Sequence, residues 1–175
     1  MATDTDLSSE QLEHLWAQVG AHLSSGGTMG DLRGFTAKEY EAMFLVGHTL
    51  YGQGKYAEAE QVFAFLVMNN PYERRFAQAL GSAKQMQGQY ADAIGYYSLA
   101  SMFEMTDPVP TFHTAECLAA LGQTDDAQDA LRIVVSHCKN PQHEVLKRRA
   151  SAMLEILQAS GSKAAPHASA SGNAP

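Results

Sequence analysis

The chain has 175 residues, enough for one domain with a real core, and 45% of them are hydrophobic, ordinary for a folded globular protein. A formal net charge of −7 with no basic patch argues against a nucleic-acid partner. The acidic start, MATDTDLSSEQ, lacks the apolar core of a signal peptide, and no apolar run approaches the ~20 residues of a membrane span, so the expectation is a soluble cytoplasmic protein without direct membrane insertion.

Residues 1–7 read as disordered. Ser8 and Gln11 then fit a capping box, and Leu12, Leu15, Trp16, Val19 and Leu23 recur at helical spacing, ending near Ser24-Ser25-Gly26-Gly27. This amphipathic stripe either covers the end of the domain that follows or is a self-association surface formed by Leu12, Leu15, Trp16 and Val19. A turn-rich link with the apolar anchors Met29 and Leu32 completes an N-terminal region over 8–35. Thr36 and Glu39 form a second capping box, with Phe35 against Tyr40 as a hydrophobic staple, so the next helix begins near Ala37.

From there the chain repeats itself. Gly54, Gly88 and Gly122 are 34 residues apart, as are Ala59, Ala93 and Ala127, and Gly47, Gly81 and Ala115. A 34-residue period with a small residue at position 8 and Ala at position 20 is the tetratricopeptide signature, two helices A and B per repeat. Three repeats are phased at 40–73, 74–107 and 108–141, within 36–141. The small residues sit where helix A meets helix B, and the turn glycines supply a positive φ. Large residues at positions 4, 7, 11 and 24 are expected to fill the core: Met43, Val46, Leu50 and Phe63 in the first repeat; Ala77, Leu80 and Tyr97 in the second, with Lys84 out of pattern; Thr111, Thr114, Leu118 and Leu131 in the third.

Asn70, Pro71 and Glu73 read as N-cap, N1 and N3 of the second repeat's helix A. The next break comes late, at Asp107-Pro108-Val109-Pro110, which predicts a longer helix B in repeat two than in repeat one. Asn140-Pro141 restarts the chain, and Val145, Leu146, Arg149, Met153, Ile156 and Leu157 define a C-terminal capping helix within 142–159. From Ser160 to Pro175 the composition is that of a disordered tail. The fold class is therefore all-α: three helical hairpins in a right-handed superhelix, with an N-terminal amphipathic helix and a C-terminal cap.

Candidate chemistry is sparse. His137, Cys138 and His143 are close in sequence, but a proline break separates them and no fourth ligand has zinc-site spacing. His113 and Glu116 share a helix face, which fits a surface hydrogen bond better than a general base. Cys117 and Cys138 make no disulfide framework and read as reduced thiols. No nucleophile elbow, phosphate loop or dinucleotide fingerprint is present, so no enzyme activity, metal or cofactor is expected. The methionines fit adaptable packing or a permissive binding surface.

Stacked hairpins curve, and their A helices line the concave side. Positions 2, 5, 9 and 12 of each A helix point into that groove: Glu41, Phe44, His48 and Tyr51; then Arg75, Gln78, Ser82 and Gln85; then Val109, Phe112, Glu116 and Ala119. Phe44 and Tyr51 are apolar on a face the core does not require. The groove reads apolar, polar, apolar, which matches an extended peptide with separated apolar anchors. Phe44, Tyr51 and Phe112 are the expected anchors.

The run Gly54-Lys55-Tyr56-Ala57-Glu58-Ala59, then Gly88-Gln89-Tyr90, and above all Asp107-Pro108-Val109-Pro110-Thr111-Phe112-His113-Thr114-Ala115-Glu116-Cys117-Leu118, resembles the translocator chaperones of bacterial type III secretion systems, the class II, LcrH/SycD-like group. The resemblance covers about residues 8–158 and includes the Gly26-Gly27-Thr28 link. Pro110-Thr111-Phe112 departs from the Pro-Phe common in the family. The resemblance implies a protein without enzyme activity or ATP. It implies that an extended N-terminal segment of a hydrophobic translocator is held in the groove, in the bacterial cytoplasm, and that the chaperone forms a homodimer through its N-terminal region. The alternatives are a generic tetratricopeptide scaffold and a co-chaperone clamp for a C-terminal carboxylate. The clamp needs Lys, Asn and Arg on the A helices, where Phe44, His48, Gln78, Ser82 and Glu116 stand.

Overall fold

The computed structural model describes residues 8–163, with side-chain environments through residue 160. The described residues form helices only: α1 (Ser9–Ser24), α2 (Met29–Leu32), α3 (Ala37–Gly52), α4 (Tyr56–Asn69), α5 (Arg74–Met86), α6 (Tyr90–Phe103), α7 (Pro108–Ala120), α8 (Thr124–His137), a 3-10 turn (Pro141–His143) and α9 (Glu144–Lys163). From α3 onward each helix packs on the next, so α3–α4, α5–α6 and α7–α8 are three hairpins and α9 stacks on the last.

The glycines of the repeat do two different jobs. Gly54, Gly88 and Gly122 close the hairpins with φ of 75°, 75° and 77°. A Cβ on any of them would meet nothing within 4 Å, so the left-handed backbone, and not space, selects glycine. The bonds around them repeat as well: Lys55, Gln89 and Gln123 donate from their backbone N–H to Leu50, Lys84 and Leu118 carbonyls at 3.0, 3.0 and 2.9 Å, the six-to-one bond of a helix C-terminal cap. Gly47 and Gly81 lie inside helices and answer to packing. A Cβ at Gly47 would stand 2.4 Å from the Phe63 ring, and one at Gly81 3.0 Å from Tyr97. The smallest residue of helix A thus lets the largest of helix B lie across it. Ala59, Ala93 and Ala127 return the contact, each fully buried.

The first part of the core joins Tyr40, Phe63, Leu66, Phe76 and Leu80; the last joins Phe112, Leu131, Val134 and Ala150; Tyr97 and Cys117 lie between. Several expectations shift here. Met43 and Leu50 are only partly buried, and Val46 is 52% exposed, because the α3–α4 contact runs through Gly47 and turns position 7 outward. Thr111, Thr114 and Leu118 are likewise half-buried. Lys84, out of pattern at position 11, is 12% exposed, with its ammonium 2.9 Å from Glu60 and 3.2 Å from Asp92, so an ion pair fills the apolar position.

Asn70 does not cap α5. Its side chain accepts from the Tyr72 N–H in a local turn, and Glu73 caps the helix by accepting from Arg75 N–H. The Pro71 break is therefore spent on a turn before the helix. Helix α6 is no longer than α4; both have 14 residues. Asp107 caps α7, with Pro108 in its first turn. Asn140 caps the 3-10 turn that leads into α9, and α9 runs to Lys163, past the expected end at 159. The expected disorder of 1–7 and of the tail from 164 lies outside the described residues.

The open end of the stack is covered by α2 and not by α1. Gly30 presses its backbone onto Tyr40, where a Cβ would overlap the hydroxyl, and Arg33 Nη1 donates to Asn69 Oδ1 at 2.5 Å. Asn69 is fully buried and returns a bond from Nδ2 to the Phe65 carbonyl at 2.7 Å. Both expected capping boxes form, and Thr28 with Asp31 adds a third. By contrast α1 buries none of its residues, and Trp16 is 72% exposed.

Candidate peptide-binding groove

Helices α3, α4 and α5 enclose a cavity of about 220 Å³, lined by Phe44, His48 and Tyr51 of α3, Phe63 of α4, and Arg75, Gln78, Ala79 and Ser82 of α5. Six expected groove residues therefore meet at one site: Phe44, His48, Tyr51, Arg75, Gln78 and Ser82. Residues one helical turn apart share a face, and the 34-residue register sets α3 and α5 side by side, which brings them together.

The aromatic wall is also part of the core. The Phe44 ring lies 5.9 Å from Phe63 and 5.4 Å from Phe76, with His48 edge-on at 4.4 Å. Phe44 and Tyr51 are half-buried and packed on the first core cluster, which corrects the expectation that the core does without them. Tyr51 stands edge-on to Tyr56 at 5.2 Å, and burial raises its hydroxyl pKa. The cavity exists because α5 presents small side chains, Ala79 and Ser82, opposite these rings.

Arg75 roofs this wall. Its guanidinium carbon is 5.2 Å from the Phe44 ring centre, its Nη2 is 2.5 Å from Glu41 and its Nε is 3.0 Å from Glu73. Hydrogen bonds to Glu73 and then Glu41 hold the guanidinium firmly charged. Glu41 is thus the partner of Arg75 at the rim and does not line the cavity.

Beyond the cavity the groove has a polar floor. Tyr97 Oη lies 2.6 Å from Gln85 Oε1 and 3.1 Å from Ser82 Oγ, and Gln85 Nε2 donates to Glu116 Oε2 at 3.1 Å. Glu116 also holds His113 Nδ1 at 2.8 Å and Arg149 Nη2 at 3.3 Å. Burial opposes the Glu116 charge, but the bonds from His113 and Gln85 and the nearby Arg149 outweigh it and lower its pKa. Tyr97, buried and stacked 5.3 Å from His113, has its pKa raised by burial. Gln78 enters this network only through its carbonyl, which accepts from Ser82 Oγ at 3.0 Å.

Phe112 is not presented to the groove. It is 2% exposed, packed with Leu131, Val134 and Ala150, and closed over by Arg149 with the guanidinium carbon at 4.8 Å. It occupies the same repeat position as Phe44. The difference is α9, which stacks as a further A helix and seals the last repeat. Arg149 was legible only as one residue of the C-terminal capping helix, and Tyr97 only as a core residue; no motif marked either as groove. Cys117, beside this site, is fully buried, and burial pushes its thiol pKa up to about 11. Among the described residues no group of three or more His, Cys, Asp or Glu side chains is placed to hold a metal ion, and no helix is long and apolar enough to cross a membrane.

A stack of helical hairpins with a lined concave groove is a tetratricopeptide-repeat protein, and tetratricopeptide repeat family models match residues 44–68, 79–104 and 112–140. Low calcium response locus protein H of Yersinia pseudotuberculosis is 32% identical over 137 residues, covering 78% of this chain and 82% of that protein. The type III secretion translocator chaperone SycD of Yersinia enterocolitica superposes with a TM-score of 0.70 at 32% identity, over 74% of this chain and 98% of SycD. PcrH, a Pseudomonas aeruginosa protein solved in complex with the chaperone binding region of PopD, gives 0.71 at 32% identity, over 73% of this chain and 97% of PcrH. SycD has also been solved with a peptide of the translocator YopD and as an alternative dimer. The chain belongs to this family, the type III secretion translocator chaperones.

Proposed function

We propose that this chain holds an extended N-terminal segment of a hydrophobic translocator protein in the groove of α3, α5 and α7, and keeps it soluble in the bacterial cytoplasm until secretion. The observation that carries this reading is the meeting of Phe44, His48, Tyr51, Gln78 and Ser82 on one cavity with an apolar wall and a polar edge. An extended peptide can seat an apolar side chain there while its backbone reaches the Gln78 amide. That PcrH and SycD are solved with translocator segments supports carrying the role over. A carboxylate clamp fits less well, because Arg75 and Arg149 are each engaged by glutamates.

The chain is a homodimer in the same reading, with α1 as the self-associating element. The function is tested by calorimetric titration of N-terminal translocator peptides into the purified chain. Saturable one-site binding that Tyr51→Ala weakens supports the groove; binding that Tyr51→Ala and Phe44→Ala leave intact overturns it.

A further inference from the structure

The last helix of a repeat stack normally turns a polar face to water. Helix α9 does not. Val145 and Ile156 are 64% and 65% exposed, and Ala152 and Ala159 are exposed with them. Their spacing puts all four on one face of the helix. That face is distinct from the one carrying Leu146, Ala150, Met153 and Leu157, which packs on Phe112, Leu131 and Val134.

The 34-residue register identifies what would cover it. Helix α9 stacks on α8 as a further A helix. Val145, Arg149 and Ala152 stand at the repeat positions of Met43, Gly47 and Leu50. In the earlier repeats this face receives helix B of the same hairpin, as Gly47 receives Phe63 and Gly81 receives Tyr97. Where those repeats have the turn glycines Gly54, Gly88 and Gly122, this one has Ile156. The helix therefore runs on to Lys163, and among the described residues nothing folds back on it. The Arg149 guanidinium is turned away over Phe112, which leaves the face to its apolar neighbours.

Charge narrows the kind of helix that fits. Residues 139–175 hold five of the 12 Lys and Arg and two of the 19 Asp and Glu, a net charge of +3, whereas residues 1–138 carry −10. Arg148, beside the apolar face, has a side chain 72% exposed and meets the Glu144 carboxylate only at 3.9 Å. Glu155, also exposed, lies two turns further on. A second copy brought end to end would set cation against cation. Residues 164–175 contain no acidic side chain and no Leu, Ile, Val, Met or aromatic residue, so they do not match the face either.

We propose that α9 is the A helix of an incomplete fourth repeat, and that another protein supplies the missing B helix. The partner is an amphipathic helix with an apolar stripe, and with acidic residues beside the end that meets Arg148. The fifteen residues from Val145 to Ala159 span about 22 Å. One helix laid along them buries on the order of 1,000 Å², the size of a transient contact. The cavity of Phe44, His48 and Tyr51 is at the other end of the stack, so a partner held on α9 leaves it open to a client.

The probe is a synthetic amphipathic helix of about 18 residues, five turns, with a leucine stripe and glutamate flanks. Its twin carries lysine flanks. Each is titrated into the full chain by fluorescence anisotropy, with and without a saturating N-terminal translocator peptide. The expected result is saturable one-to-one binding of the glutamate peptide, unchanged by the translocator peptide, and at least about tenfold weaker binding of the lysine twin. Ile156→Glu and Arg148→Glu should each weaken the glutamate peptide at least about tenfold, while Arg148→Lys keeps most of its affinity. Ala152→Glu replaces Ile156→Glu should that variant lose its helical circular dichroism. Equal binding of the two peptides, binding of neither, displacement by the translocator peptide, or indifference to Ile156→Glu and Ala152→Glu overturns the proposal. Self-association of the chain that Ile156→Glu abolishes overturns it as well, because the occupant would then be a second copy. Tyr51→Ala, which tests the groove, should leave the glutamate peptide bound, so failure of this inference and failure of the proposed function are distinguishable.

Discussion

Phe44 and Phe112 occupy the same place in the first and third repeats and meet opposite fates: Phe44 walls an open cavity beneath Arg75, and Phe112 is sealed beneath Arg149. In each case a guanidinium from the following A helix lies over the ring, and the same chain of contacts ties it to glutamate, Glu41 for Arg75 and Glu116 for Arg149.

That relationship predicts opposite phenotypes. Phe44→Ala should lower peptide affinity by ~2 kcal/mol or more, about thirtyfold, because an anchor wall in a desolvated pocket is removed. It should also cost roughly 1–3 kcal/mol of folding stability, since the ring packs on Phe63 and Phe76. Phe112→Ala should cost about 3–5 kcal/mol of stability and leave the affinity of the folded fraction unchanged. Titration and chemical denaturation on the same preparations check both. Lost affinity in a fully folded Phe112→Ala would mean that the last repeat opens on binding.

The polar groove residues should separate as well. Gln78 is not engaged through its side chain in the floor network, so Gln78→Ala should weaken peptide binding by about 0.5–1.5 kcal/mol with little change in melting temperature. Gln85 bridges Tyr97 and Glu116, so Gln85→Ala should leave the buried Tyr97 hydroxyl with Ser82 Oγ alone and destabilise the fold by about 0.5–1.5 kcal/mol. Equal melting temperatures for the two variants would contradict the bridging role.

Much of this molecule was legible in its sequence because the repeat is a packing rule written in small residues. Gly47 under Phe63 and Gly81 under Tyr97 fix the register, and the register places Phe44, His48, Tyr51, Gln78 and Ser82 on one face. What escaped was set by neighbours that carry no period. The four residues of α2 and the Arg33 that follows them, with Gly30 on Tyr40 and Arg33 on Asn69, cover the end of the stack where the strongly patterned α1 was the natural candidate. Phe112 was assigned by position to a surface that exists only until α9 covers it. Asn70-Pro71 looked like a cap because the residue types fit, but the chain needs a turn between α4 and α5 before the helix starts at Arg74.

The register argument can be tested at Gly47. Its Cβ would overlap the Phe63 ring at 2.4 Å, whereas at Gly81 the approach to Tyr97 is 3.0 Å. Gly47→Ala should therefore destabilise by about 1–3 kcal/mol, more than Gly81→Ala. Adding Phe63→Leu to Gly47→Ala should recover part of the loss in thermal melts. Additive losses in the double variant would point to a cause other than the overlap.

Lys84 offers the test of how an ion pair serves in an apolar position. Its ammonium is 2.9 Å from Glu60, whose pKa is lowered chiefly by that bond, against burial, with help from Gln87 at 2.6 Å. Lys84 itself is disfavoured by burial, but its bonds to Glu60 and Asp92 raise its pKa. The signs follow from linkage. A lowered carboxylate contributes stability that is present above its unfolded value, near 4.5, and is lost as pH falls through the folded value. A raised ammonium contributes below its unfolded value, near 10.5, and loses that contribution as pH rises through the folded one. The pair therefore acts across the neutral range. Lys84→Met keeps most of the volume but leaves Glu60 without its cation, which should cost about 1–3 kcal/mol near pH 7. As pH falls from about 4.5 through the lower folded value of Glu60, the carboxylate takes up a proton in the wild type as well, so the deficit should shrink there. Denaturation of wild type and Lys84→Met from neutral to acid pH measures that difference directly. A deficit that stays constant across the range would assign the role of Lys84 to the packing of its aliphatic stem, while one that narrows on the acid side and is absent from Glu60→Gln would locate it in the ion pair.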